Sequence, residues 1–436
     1  PLGCVMRLEH LATGLLVAAV TACGGDRSGV ARHAPAATDT AGAAARAPAG
    51  STAVGVHAPS VAPTRALTPV TDTATTTAAA TPARPTRVRH LATPNPLRGL
   101  YVSRSVAQGP GIWRLIELAA RTRVNALMFD VKDENGLVLY PSTVGLAHVI
   151  GADTVRAMPV PRLHALMDSL RKYRIYPVAR IVVARDPVLA ARRPQWALVH
   201  RADDPERSAW VDPRHREVWA YAADLASEAA ARGFSEVDFD EVRFPASSGE
   251  SERVELSPSD GGTLGEVIRA QLGFLRSRVS VLNIPMAITV DGLAAVDSSD
   301  QGVGQRWEAL ADRADVLMLR VYPSRYPAGT FGLADPGAQP YETVRRTIAD
   351  AKRRNAAIRD AARIVPWYQS FTLGSPAYGD EQVRAQLQAG EDAGIRSWML
   401  WNPAGVYSEA VLQTPVHRDS VRANHPNARA GGRSRH

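Results

Sequence analysis

The sequence predicts an α/β protein of the (β/α)8 TIM-barrel class, and three observations support this. Between residues 96 and 413, short β-branched segments alternate eight times with longer segments of helical period, which is typical of a parallel sheet with crossover helices. Several strand segments end in acidic residues, where barrel enzymes place their chemistry. The early glycine-rich phosphate turn of many doubly wound sheets is absent, although such an open sheet remains the alternative.

The strands and helices follow one another in a regular order. The strands, rich in β-branched and apolar residues, are expected near residues 99–103, 125–131, 176–183, 236–240, 285–291, 315–321, 363–368 and 397–401. The intervening helices, recognised by their apolar period, are expected near residues 112–122, 160–173, 214–232, 264–280, 302–313, 341–358 and 380–393. Only a short turn near residues 408–412 follows the last strand, so the closing helix is expected to be reduced.

The alternation within each strand predicts which side chains face the barrel axis. In the second strand, the face expected to contact the helices consists of Leu127, Phe129 and Val131. The opposite face consists of Ala126, Met128, Asp130 and Lys132. In the fourth strand, Asp238 and Asp240 share the axial face. The axis is therefore expected to carry charged side chains near the C-terminal ends of the strands.

The segment before the barrel predicts export and lipid attachment. The apolar run over residues 11–20 is too short to span a bilayer and predicts a cleaved lipoprotein signal peptide over residues 1–22. Val-Thr-Ala-Cys at residues 20–23 resembles the lipobox of bacterial lipoproteins, so Cys23 is the expected lipidation site. We therefore expect a cell-envelope protein anchored to a membrane on its periplasmic or extracellular face.

Two flanking segments have the composition of disordered chain. Residues 23–95, rich in Ala, Thr and Pro and without aromatic residues, predict a linker, and residues 414–436 predict a basic tail. These flanks account for the whole net charge of +8: residues 1–95 contain eight Arg and four acids, and residues 415–436 contain five Arg and one acid. The barrel at residues 96–413 is therefore neutral, and no nucleic-acid partner is expected.

Several other chemistries lack their usual sequence signals. Cys4 and Cys23 are the only cysteines, so the barrel is expected to contain no disulfide. No His pair has metal-ligand spacing and no G-x-S-x-G turn follows a strand, so we expect no metal, no cofactor and no esterase triad. Schiff-base chemistry has Lys132 as its only inward-facing lysine and is a minor alternative. We expect a monomer.

Six separated motifs carry a resemblance to a known family. They are FDVKDENG at 129–136, ARIVVARD at 179–186, FDEVRFP at 239–245, VYPSRY at 321–326, PWYQSF at 366–371 and WNPAGVY at 401–407. In this order they resemble a bacterial family of glycoside-hydrolase-like proteins described as a domain of unknown function. The resemblance spans roughly residues 97–407 and implies a barrel related to glycosidases, with a polysaccharide or other glycan as substrate. Where the family usually has an aromatic residue after the strand-four Asp, this chain has Glu241.

Glycoside hydrolysis requires two carboxyl groups on either side of the bond, one of which donates a proton. Asp240 ends the fourth strand and faces the axis, so it is the expected nucleophile or base. Asp133 and Asp291 are the expected partners, with Asp130 and Glu241 as weaker candidates. A separation of about 5 Å would favour retention of configuration, and roughly 6.5 to 9.5 Å would favour inversion.

The residues expected to bind substrate lie at strand ends and carry polar or aromatic side chains suited to sugars. They are Asp130, Lys132, Asp238, Glu241, Arg243, Tyr322, Gln369, Trp401 and Asn402. Of these, Trp401 and Tyr322 are the expected stacking platforms. Residues 246–262, rich in Ser, Gly and Glu, are expected to form a mobile rim over the barrel mouth.

Two other interpretations remain open. Asp130 and Asp238 share the predicted interior with Lys132, Arg180 and Arg320, so a structural layer of ion pairs explains them without catalysis. A non-catalytic carbohydrate-binding or envelope-scaffold lipoprotein is the alternative function. A carboxylate pair in an open cleft favours the enzyme, whereas acids each bound to an Arg or Lys favour the binder.

Overall fold

The computed structural model describes residues 88–198, 209–246 and 262–413. The predicted signal peptide at 1–22, Cys23, nearly all of the 23–95 linker, the 414–436 tail and residues 247–261 of the predicted rim lie outside the described residues. These assignments therefore stay predictions, except that the linker ends earlier than expected, because Leu91 and Thr93 contact the barrel. No helix in the described part of the chain is long and apolar enough to cross a bilayer.

Eight parallel strands form a closed barrel in which each strand pairs with its neighbours in sequence and β1 pairs with β8. The strands are β1 Arg98–Val102, β2 Ala126–Lys132, β3 Tyr176–Val182, β4 Glu236–Asp240, β5 Met286–Asp291, β6 Val316–Val321, β7 Arg363–Gln369 and β8 Trp398–Trp401. The predicted (β/α)8 fold is confirmed, and all eight strands lie within two residues of their predicted bounds.

Helices surround the barrel. They are α1 Arg104–Gln108, α2 Gly111–Arg121, α3 Gly145–Ile150, α4 Val160–Lys172, α5 Pro187–Arg192, α6 Arg216–Arg232, α7 Leu264–Val279, α8 Leu293–Val296, α9 Trp307–Leu310, α10 Pro340–Asn355, α11 Asp380–Asp392 and α12 Glu409–Gln413. The short α12 after β8 is the reduced closing helix that the sequence predicts. The short helices α1, α3, α5 and α8 lie in strand-to-helix connections and were not expected.

The predicted helix over 302–313 is wrong in length, because only α9 forms there. Gly302 and Gly304 have φ angles of 67° and 81°, and Gln301 has a φ angle of 57°. These left-handed conformations are incompatible with a continuing right-handed helix. The segment is instead a turn that leads into α9.

Most of the buried apolar residues belong to one of two separate cores. Leu127, Phe129 and Val131 of β2 pack in the core between the strands and the helices. Ala126 and Met128, on the opposite face, pack inside the barrel. The predicted alternation of β2 is therefore confirmed as far as Asp130.

Lys132 departs from that alternation, and the expectation that it faces the axis is wrong. An irregularity between Asp130 and Lys132 shifts the β2–β3 register, so that Lys132 pairs with Ile181, which belongs to the outer core. Its Nζ lies 2.8 Å from Asp186 Oδ2 and 5.7 Å from the ring centroid of Tyr221 on α6. A single extra residue in a strand reverses the faces of the residues beyond it.

The chain before β1 covers the N-terminal end of the barrel. Leu97 is fully buried in the inner core and Leu91 packs against it. The Leu91 amide donates to Ser235 Oγ at 3.0 Å, and the hydroxyls of Thr93 and Tyr176 are 3.0 Å apart. This segment therefore closes the N-terminal end of the barrel.

Candidate active site at the C-terminal end of the barrel

Asp240, the last residue of β4, lies between two arginines that project from other strands. Arg180 of β3 contacts Asp240 Oδ2 through Nε at 2.9 Å and Nη2 at 2.8 Å. Arg320 of β6 contacts Oδ1 through Nη2 at 2.5 Å. The strand alternation places all three side chains in the interior, and Asp240 is only 1 % exposed.

These contacts determine the charge of Asp240. Burial alone would raise the pKa of its carboxyl, but the guanidinium groups of Arg320 and Arg180 outweigh that effect. Together with the Glu241 amide, which donates to Oδ1 at 2.7 Å, they lower the pKa to about 2. Asp240 is therefore an anion throughout the physiological pH range.

Asp130 of β2 lies on the other side of Arg180. Its Oδ1 is 2.5 Å from Arg180 Nη1, and its Oδ2 accepts a hydrogen bond from the Tyr101 hydroxyl of β1. Burial raises the pKa of Asp130 to about 7 although Arg180 opposes this. Both oxygens are occupied, so Asp130 supports Arg180 from within the protein.

Asp238 lies two residues before Asp240 on the same face of β4 and is fully buried. Its Oδ2 accepts a hydrogen bond from Thr289 Oγ1 at 2.8 Å, and its Oδ1 has no hydrogen-bond partner. Burial, reinforced by the charge of Asp240, raises the pKa of Asp238 well above its ordinary value. The structure thus places Asp238 beneath the site.

Glu241, the residue that departs from the family pattern, binds two arginines. Its Oε2 lies 2.6 Å from Arg243 Nε and its Oε1 lies 3.5 Å from Arg320 Nη1. Burial would raise its pKa, but Arg243 and Arg320 lower it. The backbone of Glu241 is left-handed, with a φ of 51°, which is strained for a residue with a side chain. Arg243 also stacks over Trp210, with 4.7 Å between the guanidinium carbon and the ring centroid.

Glu134, which the sequence analysis missed, stands at the rim of this cluster. Its Oε2 lies 3.6 Å from Arg180 Nη1 and has no hydrogen-bond partner. About two fifths of its side chain is exposed (40 %), in contrast to Asp240. Glu134 and Asp240 both contact the guanidinium group of Arg180, so the sum of the two contacts and the width of that group limits the distance between Glu134 Oε2 and Asp240 Oδ2. This distance is at most about 9 Å, within the upper limit of roughly 9.5 Å for a glycosidase pair.

Aromatic side chains line the β6–β1 side of the mouth. The half-buried Trp401 of β8 stacks on Tyr101 of β1, with centroids 3.5 Å apart, and on Trp367 of β7, with centroids 5.2 Å apart. Tyr322 follows β6 and meets Phe371 edge to face at 5.4 Å. The ring of Trp401 is therefore part of an aromatic layer that also faces Arg180, whose guanidinium carbon is 5.0 Å from its centroid.

Several predicted site residues do not join this cluster. Asp133 Oδ1 accepts hydrogen bonds from the backbone amides of Asn135 and Leu137, each at 3.0 Å, and Asp133 Oδ2 accepts one from Arg104 Nε at 3.0 Å. Its carboxylate is therefore occupied in shaping the loop after β2. Lys132, as described above, faces the helices.

The side-chain amides of Gln369 and Asn402 are also engaged within the protein. Gln369 Nε2 donates to Ser324 Oγ at 3.0 Å and to the Phe371 carbonyl at 2.9 Å. Asn402 Nδ2 donates to the carbonyls of Ser370 at 2.6 Å and Val406 at 2.8 Å. Both residues hold rim loops in place.

Asp291 lies at the end of β5, in register with Arg320. Its Oδ1 accepts the Leu293 amide at 3.0 Å, at the start of α8. Asp291 is therefore at the correct rim of the barrel but not in contact with Asp240. In the described ranges, no three His, Cys, Asp or Glu side chains are grouped as metal ligands.

Comparison with known families and structures agrees with this arrangement. Residues 99–407 match a family described as "putative glycosyl hydrolase domain". The chain belongs to this family. The match covers all eight strands except Arg98, the first residue of β1. It confirms the resemblance seen in the sequence and makes the chain a glycosidase-like hydrolase at the level of that description. Among curated proteins, none matches the sequence.

Solved structures share the barrel. The glycoside hydrolase domain of PgaB (BpsB) from Bordetella bronchiseptica superposes with a TM-score of 0.54 at 13% identity, over 73% of this chain and 99% of that one. A hypothetical protein from Ruminiclostridium thermocellum is 26% identical over 43% of this chain and 96% of its own, with a TM-score of 0.38. An exo β-N-acetylglucosaminidase from Vibrio harveyi has a TM-score of 0.47 at 12% identity, over 75% and 56% of the two chains. The first of these supports the fold.

Proposed function

We propose that this protein hydrolyses glycosidic bonds in a polysaccharide or cell-envelope glycan, with Asp240 as the central carboxylate. The observation that carries the proposal is the position of Asp240. It is a permanent anion at the C-terminal end of a barrel strand, oriented by Arg180 and Arg320. In barrels of this class, that end of the strands holds the active site.

Asp240 supplies a fixed negative charge. The transition state of glycoside hydrolysis resembles an oxocarbenium ion, and an oriented carboxylate stabilises its positive charge. In this proposal Asp240 acts as the nucleophile or base, as the sequence predicts. A group with a pKa of about 2 does not donate a proton near neutral pH, so the acid must be another residue.

We assign the proton-donating role to Glu134 in place of Asp133. The adjacent Asp133 uses both oxygens in its own loop, whereas Glu134 Oε2 has no hydrogen-bond partner and lies on the same guanidinium as Asp240. The side chain of Glu134 is 40% exposed although Oε2 itself is buried, so the carboxyl would meet a leaving-group oxygen through Oε1. Asp291, at the end of β5, is the second choice.

We further propose that the sugar is bound along the aromatic side of the mouth. Trp401 is half-buried, so a sugar ring can contact its apolar surface while the sugar hydroxyls meet Glu134 and Glu241. Tyr322, only 4% exposed, packs in the core inside the barrel and offers no surface for the stacking that the sequence predicts. Arg243 supports Glu241 through their 2.6 Å contact.

The test is a screen of the purified full-length chain against bacterial and plant polysaccharides, with analysis of the products. For a substrate found in this way, Asp240→Asn and Glu134→Gln should each lower kcat about 10²- to 10⁴-fold. Glu117→Gln, on the exposed face of α2, is the matched control and should retain full activity. Full turnover by folded Asp240→Asn would refute the assignment of Asp240, and full turnover by Glu134→Gln would refute that of Glu134.

One observation favours the non-catalytic alternative. Asp240 and Glu241 are each bound to two arginines, which suits a structural or binding role. A binder of this kind would retain glycan on an affinity matrix but release no reducing ends during prolonged incubation. The same screen therefore separates the two functions.

We also propose that the protein is a lipid-anchored envelope protein, on the support of the sequence alone. The apolar run over residues 11–20 and the Val-Thr-Ala-Cys ending at Cys23 carry this proposal. Cys23→Ser should abolish labelling by a radioactive fatty acid and shift the protein from the membrane to the soluble fraction. Unchanged membrane association and labelling would refute it.

A further inference from the structure

Asp238 is a buried acid that the proposed mechanism does not use. It is fully enclosed in the barrel, one layer below Asp240. Its only hydrogen bond in the described part of the chain comes from the Thr289 hydroxyl to Oδ2, at 2.8 Å, and Oδ1 has none. A carboxylate has capacity for about four hydrogen bonds, so an ionised Asp238 would be left largely unsatisfied.

The guanidinium groups nearest to Asp238 are bound to other acids. Arg180 and Arg320 are the two guanidinium groups of this layer, and their contacts go to Asp240, Asp130 and the rim acids Glu134 and Glu241. The groups that face Asp238 are Arg180 on β3, Glu236 and Asp240 on β4, and Thr289 on β5. None of the described cations contacts its carboxyl group. A third interior anion would therefore be unpaired, which proteins avoid by keeping the proton.

We propose that Asp238 keeps its proton and acts as a positioning residue. Because the uncharged carboxyl does not compete for Arg180 and Arg320, both guanidinium groups remain bound to Asp240. Loss of this proton at alkaline pH places a second anion beneath Asp240 and draws the guanidinium groups away from it. The inference rests on the proposed function, because it names what keeps Asp240 oriented for hydrolysis.

The first test compares the same substitution at two positions on one strand face. Asp238→Asn and Asp240→Asn are both made in the full chain, and the urea midpoint is measured from pH 4 to pH 9. A carboxyl that keeps its proton in the folded state makes the wild type less stable as pH rises above about 3.9, where the unfolded chain ionises. Asp238→Asn should therefore gain in midpoint over the wild type as pH rises.

Asp240→Asn should behave in the opposite way. The ionised form of Asp240 is favoured by folding, so the wild type should exceed this variant above about pH 4 and lose its advantage as pH falls toward 2. If Asp238→Asn instead lowers the midpoint at neutral pH as Asp240→Asn does, Asp238 is ionised and the inference is wrong. Carbon-13 NMR of the Asp carboxyls in the wild type gives the same answer if a variant does not fold.

The second test measures kcat/KM against pH with a glycan substrate. Because the proton donor of the proposed mechanism ionises in both proteins, the wild type should show one more ionisation on the alkaline side than Asp238→Asn, with a fall that is steeper by up to about tenfold per pH unit. An identical alkaline fall in both proteins would overturn the positioning role. If no glycan is hydrolysed, the proposed function fails, whereas the unfolding and NMR measurements still decide the charge of Asp238.

Discussion

Arg180 joins the acids of the site, so its removal is the most informative perturbation. Its side chain is 5% exposed, contacts Asp240 twice and reaches Asp130 Oδ1 at 2.5 Å. Arg180→Met keeps the length of the side chain but leaves two buried carboxyls without this partner. Breaking a buried ion pair from one side costs about 3–5 kcal/mol. At about 2 °C per kcal/mol for a domain of this size, the melting temperature should fall by about 6–10 °C.

A double-mutant cycle isolates the contact between Arg180 and Asp130. Residues in one ion-pair network usually couple by about 0.5–3 kcal/mol, so Arg180→Met combined with Asp130→Asn should be more stable than the sum of the single effects. Urea unfolding followed by tryptophan fluorescence at pH 7 measures all four proteins. Additive effects, or a loss below 1 kcal/mol for Arg180→Met, would refute the reasoning, because Arg180 would then not compensate these carboxyls.

Three further predictions concern other positions in the barrel. Glu236 is fully buried, and burial raises its pKa to about 7, so the wild type should lose about 3 kcal/mol of stability as pH rises from about 4.5 to 7. Glu236→Gln should remove this loss in urea titrations. Parallel curves of stability against pH for the two proteins would contradict the prediction. Lys132→Met leaves Asp186 unpaired and should destabilise the fold by about 3–5 kcal/mol without a matching loss of turnover in the folded protein; loss of turnover at full stability would instead favour a role in binding. Gly292→Ala would bring a Cβ atom 2.7 Å from the Arg320 carbonyl oxygen, so the free energy of unfolding should fall by about 1–3 kcal/mol. A melting temperature equal to that of the wild type would show that this clash does not occur.

Strand and helix positions were accessible from the sequence because they depend on local patterns. The alternation in β2 correctly predicted that Phe129 faces the helices and Met128 the barrel interior. The pattern failed at Lys132, where an irregular register reverses the face, and at 302–313, where left-handed residues interrupt the helix. Both failures arise from backbone conformations that a regular period does not contain.

The site was predictable in part for the same reason. Asp240 ends a regular strand and Tyr322 follows one, and the structure places both near Arg320. Asp133 and Glu134 are neighbours in a loop, and a loop has no regular alternation of side chains from which to predict which carboxylate faces the mouth. The turn after β2 engages Asp133 with backbone amides and leaves Glu134 at the rim.

The sequence by itself determined the order of strands and helices, the reduced closing helix and the family, because these depend on periodicity and on motifs along the chain. Only the tertiary structure decided the charges of the acids. Asp238 and Asp240 are the same residue type on one strand face, yet the pKa of the first is raised and that of the second is lowered. The reason is that guanidinium groups from β3 and β6 contact Asp240 but not Asp238, and such contacts between distant segments exist only in the closed barrel.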